Sequence, residues 1–282
     1  MMLHSLFTRF ADSGPTVYIT PETVFHFHGI SISNSMLYGW IASVVLLILF
    51  ISVARRMTIR PKGGFIQIVE VGTEFITNLV TSAFEDRERG KKYVPYFVTL
   101  FFFVLFSNWF GLIPGVGDAI TGHGNPLLRP FTGDFNGTLA AGVVTMIMVY
   151  GSSIYEAGVK EYFKHFFAGP PSNPIYLLVG ILEIFTDLTR VFSLSIRLFL
   201  NVTIGEIVIA VFAYLGHVAA PITAAPFTAI ELFVGALQAY IFVILSVMYL
   251  AIAVNHATEA HLTEDNLPER IVEEVSGEGV VA

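Results

Sequence analysis

No charged residue occurs among the nineteen residues from Met36 to Ala54. Folded as a helix, this stretch rises about 28 Å, close to the roughly 30 Å thickness of a bilayer's hydrocarbon core. Arg55, Arg56, Arg60 and Lys62 follow it with no acid among them. Basic residues collect on the cytoplasmic flank of a span, so the segment predicts a first crossing with the N-terminus outside. The rest of the chain has the same character. Only 13% of its 282 residues are charged, against about 25% in soluble domains, and the mean hydropathy is +0.70. The composition points to an integral membrane protein built from helices, since a helix satisfies its own backbone within lipid.

The remaining segments are read in the same way. Gly63 to Arg89 mixes apolar residues with Gln67, Glu70, Glu74 and Asn78 and ends in the charged run Glu85 to Arg89. That pattern suits an amphipathic helix on the cytoplasmic surface better than a span. Tyr93 to Pro114, rich in Phe, should cross outward. Gly115 to Gly137, with Asp118, Asp134 and the single base Arg129, suits the outer side, and Thr138 to Ala157 returns. Lys160 and Lys164 then mark a second cytoplasmic loop,.

The final third is too long to stand upright. Pro174 to Gly216 has no internal proline and would reach about 64 Å as one helix, and Pro226 to His256 about 46 Å. A strongly tilted hairpin, turning at Pro221 to Pro226, is expected. The fold class is thus all-α integral membrane. About five helices cross, one amphipathic helix lies on the cytoplasmic surface, and the last two helices form the hairpin. Residues 1–35 form an outer N-terminal segment, 36–256 the membrane domain, and 257–282 a cytoplasmic tail. Seven acids and one base follow Ala257, so the tail holds most of the net charge of −7 and reads as solvated,. The N-terminus, with Arg9, Asp12, Pro15 and Pro21, is a poor secretory signal.

Chemistry concentrates in the hairpin. Between Pro174 and His256 the charged residues are Glu183, Asp187, Arg190, Arg197, Glu206 and Glu231. Each would cost about 2.5–3.5 kcal/mol at mid-membrane unless it faced protein or water. With Arg197 as zero, Glu183 and Asn201 fall at about +40°, Arg190 at about +20° and Ser193 at about −40°, a single polar stripe. Glu206 falls at about 180°, on the opposite side. On the last helix, Gln238, Tyr249 and His256 line up with Glu231 within about 20°. Glu206 and Glu231 are expected to share an aqueous cavity, in which like charges would retain a proton on one of them. A guanidinium does not deprotonate, so Arg197 can hold or block a charge but cannot relay a proton.

Ser193-Leu194-Ser195-Ile196-Arg197-Leu198-Phe199-Leu200-Asn201 followed by Gly205-Glu206, Leu237 to Phe242, Asn108 to Pro114, and Thr23 to Ile30 together resemble the signature segments of the a subunit of F-type ATP synthases. The resemblance runs from Pro21 to His256. It implies a proton-conducting stator with two half-channels against a ring of c subunits. Arg197 would face the ring's carboxylates, Glu206 and Glu231 would line the outer path, and Asn201 and Gln238 would lie near the arginine. Glu183 and Ser193 would lie toward the cytoplasmic side. Position 231 holds histidine in some members and glutamate in others, while Leu200 and Ile204 fill places that are small in many. The same resemblance implies peripheral-stalk b subunits, the other synthase subunits and lipid as partners, and a bacterial inner (plasma) membrane as the location.

Other functions find less support. No phosphate-cradling loop with its Lys-Ser/Thr occurs, so the chain is not expected to be catalytic alone. The absence of cysteine removes thiolate metal sites and disulfides,. No cofactor, metal or nucleic-acid partner is expected, and His26 and His28 stand two apart with no assigned role. A secondary cation transporter would carry inverted repeats and broken helices, neither evident here. An embedded hydrolase using Glu183 and Asp187 would need a substrate that nothing in the chain specifies.

Overall fold

The computed structural model describes residues 23–27, 30–56, 64–84, 86–113, 121–122, 125–126, 129–158 and 174–265. A short hairpin of β1 (Thr23–Phe27) and β2 (Ile30–Ser33) leads into α1 (Asn34–Arg56). It is followed by α2 (Gly64–Ala83), α3 (Arg87–Gly111), a two-residue strand pair β3 (Thr121–Gly122) and β4 (Asn125–Pro126), and α4 (Phe135–Ala157). The last described elements are α5 (Pro174–Gly216) and α6 (Ala220–Asp265). Five of these helices are long and apolar enough to cross a membrane, over Asn34–Arg55, Arg87–Gly111, Phe135–Glu156, Phe185–Gly216 and Ala220–Ile252. The architecture is all-α and multi-pass.

Helix α6 is central and packs against α2, α3, α4 and α5. Its buried face carries Ala239, Phe242, Val243, Val247, Leu250 and Val254. Phe97, Phe101, Phe102 and Val104 of α3 and Leu194 and Leu198 of α5 belong to the same buried cluster. The outer surface is equally apolar: Trp40, Val44, Leu47 and Ile48 of α1 are exposed. Exposed large apolar side chains on α1, α4, α5 and α6 have no explanation in water and an ordinary one in lipid,. Where α4 crosses α5, a Cβ on Gly142 would overlap Ser195 Oγ, so the small residue allows the close approach that membrane helices use in place of a hydrophobic drive.

Three boundaries depart from the sequence reading. The turn of the hairpin is a 3-10 segment at His217–Ala219, and Pro221 and Pro226 lie inside α6. Pro221 occupies the first helical turn, where its missing N–H has no intrahelical acceptor in any case. The reversal falls at His217, whose φ of 46° is left-handed. Thr223 fastens the turn by donating to Phe212 O at 2.8 Å. The charged run before α3 opens that helix instead of closing α2, because the Asp86 carboxylate caps it by accepting from Glu88 N at 2.9 Å,. Helix α6 also continues past His256 to Asp265.

Helix α2 buries Val69, Ile76 and Val80 and sets Phe75 against Tyr240 of α6, ring centroids 5.5 Å apart. It also exposes Phe65, Ile68 and Val71, so apolar residues lie on both faces.

Phe242→Ala should remove about 3–5 kcal/mol of stability, because the ring is fully buried where α6 meets its neighbours,. Leu47→Ala, exposed on α1, should change little. Thermal unfolding of the purified protein in detergent would check the contrast.

Candidate functional site

The polar residues of α5 divide by direction. Leu194, Ser195, Leu198, Val202 and Gly205 are buried, while Ile196, Arg197, Leu200 and Ile204 are exposed. Arg197 therefore lies on an outward, otherwise apolar face, and among the described residues it makes no ion pair. Ser193 shares this exposed surface. Glu183 lies on α5 fourteen residues before Arg197, about 21 Å along the axis, and its side chain is outside the described residues, as are those of His26, His28 and His256.

Asn201 departs from the expected stripe. It is half-buried and lines a cavity of about 250 Å³ between α5 and α6, together with Gly205, Val208, Phe227, Glu231 and Val234. The α5 backbone reaches this cavity only because residue 205 is glycine: a Cβ there would overlap the Glu231 carboxyl. Among the described residues the Asn201 Nδ2 is buried without a partner, and so is Nε2 of Gln238, which is itself buried and lies two turns beyond Glu231 on α6. Buried amides of this kind need water or an incoming acceptor.

The cavity that holds Glu231 is lined by Asn201 and Gly205 and not by Glu206. Glu206, half-buried, turns away toward Gly133, where a Cβ would lie 3.4 and 3.6 Å from its carboxylate oxygens. The two acids stand on consecutive sides of α5, since Gly205 meets one and residue 206 carries the other. Their separation follows from the 100° step between adjacent helical residues.

The structure adds residues that sequence reasoning left out. Asn108 Nδ2 donates to Gly235 O at 3.1 Å and Trp109 Nε1 to Leu232 O at 3.0 Å. These two bonds from α3 fix the stretch of α6 between Glu231 and Gln238. A Trp N–H and an amide at the end of a Phe-rich span had to find acceptors, which is the signal the sequence carried. Toward the other end, Arg190 pairs with Asp187 at 2.8 Å and lies 4.9 Å above the Tyr249 ring. The pair is half-buried and ties α5 to the same polar line of α6. Among the described residues no group of three potential metal ligands occurs.

Residues 36–251 match the family described as ATP synthase A chain. The chain is 33% identical over 245 residues to ATP synthase subunit a of Syntrophobacter fumaroxidans, covering 85% of this chain and 92% of that protein. It is 32% identical to ATP synthase subunit a 2 of Prosthecochloris aestuarii, over 84% of this chain and 72% of the relative. It is 31% identical to ATP synthase subunit a of Myxococcus xanthus, over 82% and 76%.

Gly205→Ala should drive its methyl into the Glu231 carboxyl and cost about 1–3 kcal/mol as overpacking,. Adding Glu231→Ser should restore most of that loss. Melting curves of the single and double variants would check it, and equal destabilisation of both would contradict the contact.

Proposed function

We propose, because this chain belongs to the ATP synthase subunit a family, that it is the proton-conducting stator of a rotary F-type ATP synthase. In this reading two offset half-channels run against a ring of c subunits, and proton flow through them turns the ring. The observation that carries it is the outward Arg197 in the middle of an apolar surface. A cation there costs about 2.5–3.5 kcal/mol even on the lenient insertion scale, and among the described residues no acid pairs with it. A carboxylate on a passing ring subunit supplies that missing partner.

The Glu231 cavity, with Asn201 and Gln238, serves as the outer path toward the arginine, and Glu206 belongs to the same outer half. The two unpartnered amides support this, being groups that a water file would satisfy,. Glu183 and Ser193 line the cytoplasmic path. Arg197 does not carry a proton: it holds each arriving carboxylate ionised and yields it to a competing proton, which keeps the two paths apart. The partners are the c ring, the peripheral-stalk b subunits, the other synthase subunits and lipid. The chain sits in a bacterial inner (plasma) membrane with the N-terminus outside and the C-terminus cytoplasmic. Helix α2 lies along the cytoplasmic surface.

In the assembled complex, Arg197→Gln should abolish proton-driven ATP synthesis, and normal coupled synthesis would refute the assignment. Glu231→Gln and Glu206→Gln should each slow passive proton flux through the membrane sector. Unchanged flux in the double variant, measured in vesicles with a pH-sensitive dye, would remove both from the path.

A further inference from the structure

A second arginine is buried at the far end of the site. Arg129 is 4% exposed. Its Nη2 donates to Gly133 O at 2.8 Å, while Nε and Nη1 have no partner among the described residues. A buried guanidinium with two idle N–H groups is costly, and the usual resolution is an anion or water within reach. Gly133 shows which anion lies nearby. The point where its Cβ would sit is 3.7 Å from Arg129 Nε and 3.4 and 3.6 Å from the Glu206 carboxylate oxygens. The two charged groups converge on one point, where an added methyl would touch both at ordinary van der Waals distance.

The neighbouring groups do not compete for the arginine. Asp134 is buried, but Oδ2 accepts from Ser35 Oγ at 2.5 Å and Oδ1 caps α4 by accepting from Asn136 N at 3.0 Å. On α1, the buried Tyr38 hydroxyl lies close enough to feel the Glu206 charge. On α6, Glu231 lies across Gly205, on the other side of α5. The arginine is also held rigidly. Pro130 packs 2.8 Å from the Cβ position of Gly111, and the Phe131 ring is wedged at 2.9 Å from those of Gly39 and Gly137. That ring also stands edge-on to Phe103 at 5.8 Å. The loop is locked to α1, α3 and α4 on either side of the charge.

We infer that Arg129 is a positioning residue of the outer path, a fixed internal counter-charge that holds the Glu206 carboxylate across Gly133. The inference rests on the proposed role of Glu206 and extends it to a residue of the outer loop. A positive charge fixed in the protein organises a carboxylate without reorganisation at each passage. It also keeps that carboxylate from swinging toward Glu231.

The test is passive proton flux per assembled complex, measured across a range of pH in vesicles. Arg129→Gln should slow flux on the order of tenfold, the size expected for a lost charge-assisted contact. Arg129→Lys should recover much of it. In a Glu206→Gln background, Arg129→Gln should add no further loss and leave the pH profile unchanged. Gly133→Ala retains both charges but inserts a methyl between them, and should slow flux only when Glu206 is present. It serves as the decisive variant if Arg129→Gln fails to assemble. Losses that multiply with Glu206→Gln, or normal flux in assembled Arg129→Gln or Gly133→Ala, would overturn the inference. Normal flux in Glu206→Gln alone would instead refute the role of Glu206 in conduction.

Discussion

The expense of an ionisable group in hydrocarbon orders this molecule. Each charged side chain of the long hairpin has met that expense differently. Asp187 and Arg190 pair with each other, and the arginine also lies over Tyr249. Glu231 lies in a cavity lined by Asn201. Glu206 turns toward the outer loop, where Arg129 is buried. Arg197 alone among the charges described on this hairpin faces outward with no ion pair among the described residues. Everything else in the fold holds these groups in place. Helix α6 is clamped by Asn108 and Trp109, and α5 is brought close to its neighbours at Gly142 and Gly205.

Much of this was legible in the sequence. Charge-free runs of membrane length predict the crossings, because lipid leaves the backbone no alternative to helix. The absence of proline between Ile175 and Gly216 predicts α5 as one piece. Arg197 is conspicuous for the same reason that it is costly. The hairpin turn was misplaced because Pro221 and Pro226 were read as breakers, whereas Pro221 falls in the first turn of α6, which accepts proline,, and the reversal needed only one left-handed residue, His217.

Side-chain direction was less legible. An ideal 100° step puts Asn201 with Arg197, yet the edge of the α5–α6 contact passes between them. Asn201 faces the Glu231 cavity and Arg197 faces out. Where that edge falls depends on the position of α6, a tertiary fact that periodicity along one helix does not contain. The same limit explains Glu206 and Glu231. Two acids on neighbouring helices suggest one cavity, but residue 205 faces α6 and residue 206 therefore does not. Arg129, read as an ordinary base of an outer loop, is buried beside Pro130 and Phe131, which pack against glycines of three helices, Gly39, Gly111 and Gly137.

The division between the two acids bears on how a stator of this kind would work. Were Glu206 and Glu231 in one cavity, they would titrate as a coupled pair, and one proton would be shared between them. On separate sides of α5 they would, in the proposed function, be successive stations, each with its own surroundings: an internal arginine near one, amides near the other. A proton on such a path would meet groups whose charge is managed locally before it came to Arg197, the next cation in the proposed scheme. Because that guanidinium keeps its charge at every accessible pH, it can attract a carboxylate but cannot pass the proton on. In the proposed function the ring must then move to complete the transfer, so the coupling of flow to rotation rests on a residue chosen for what it cannot do.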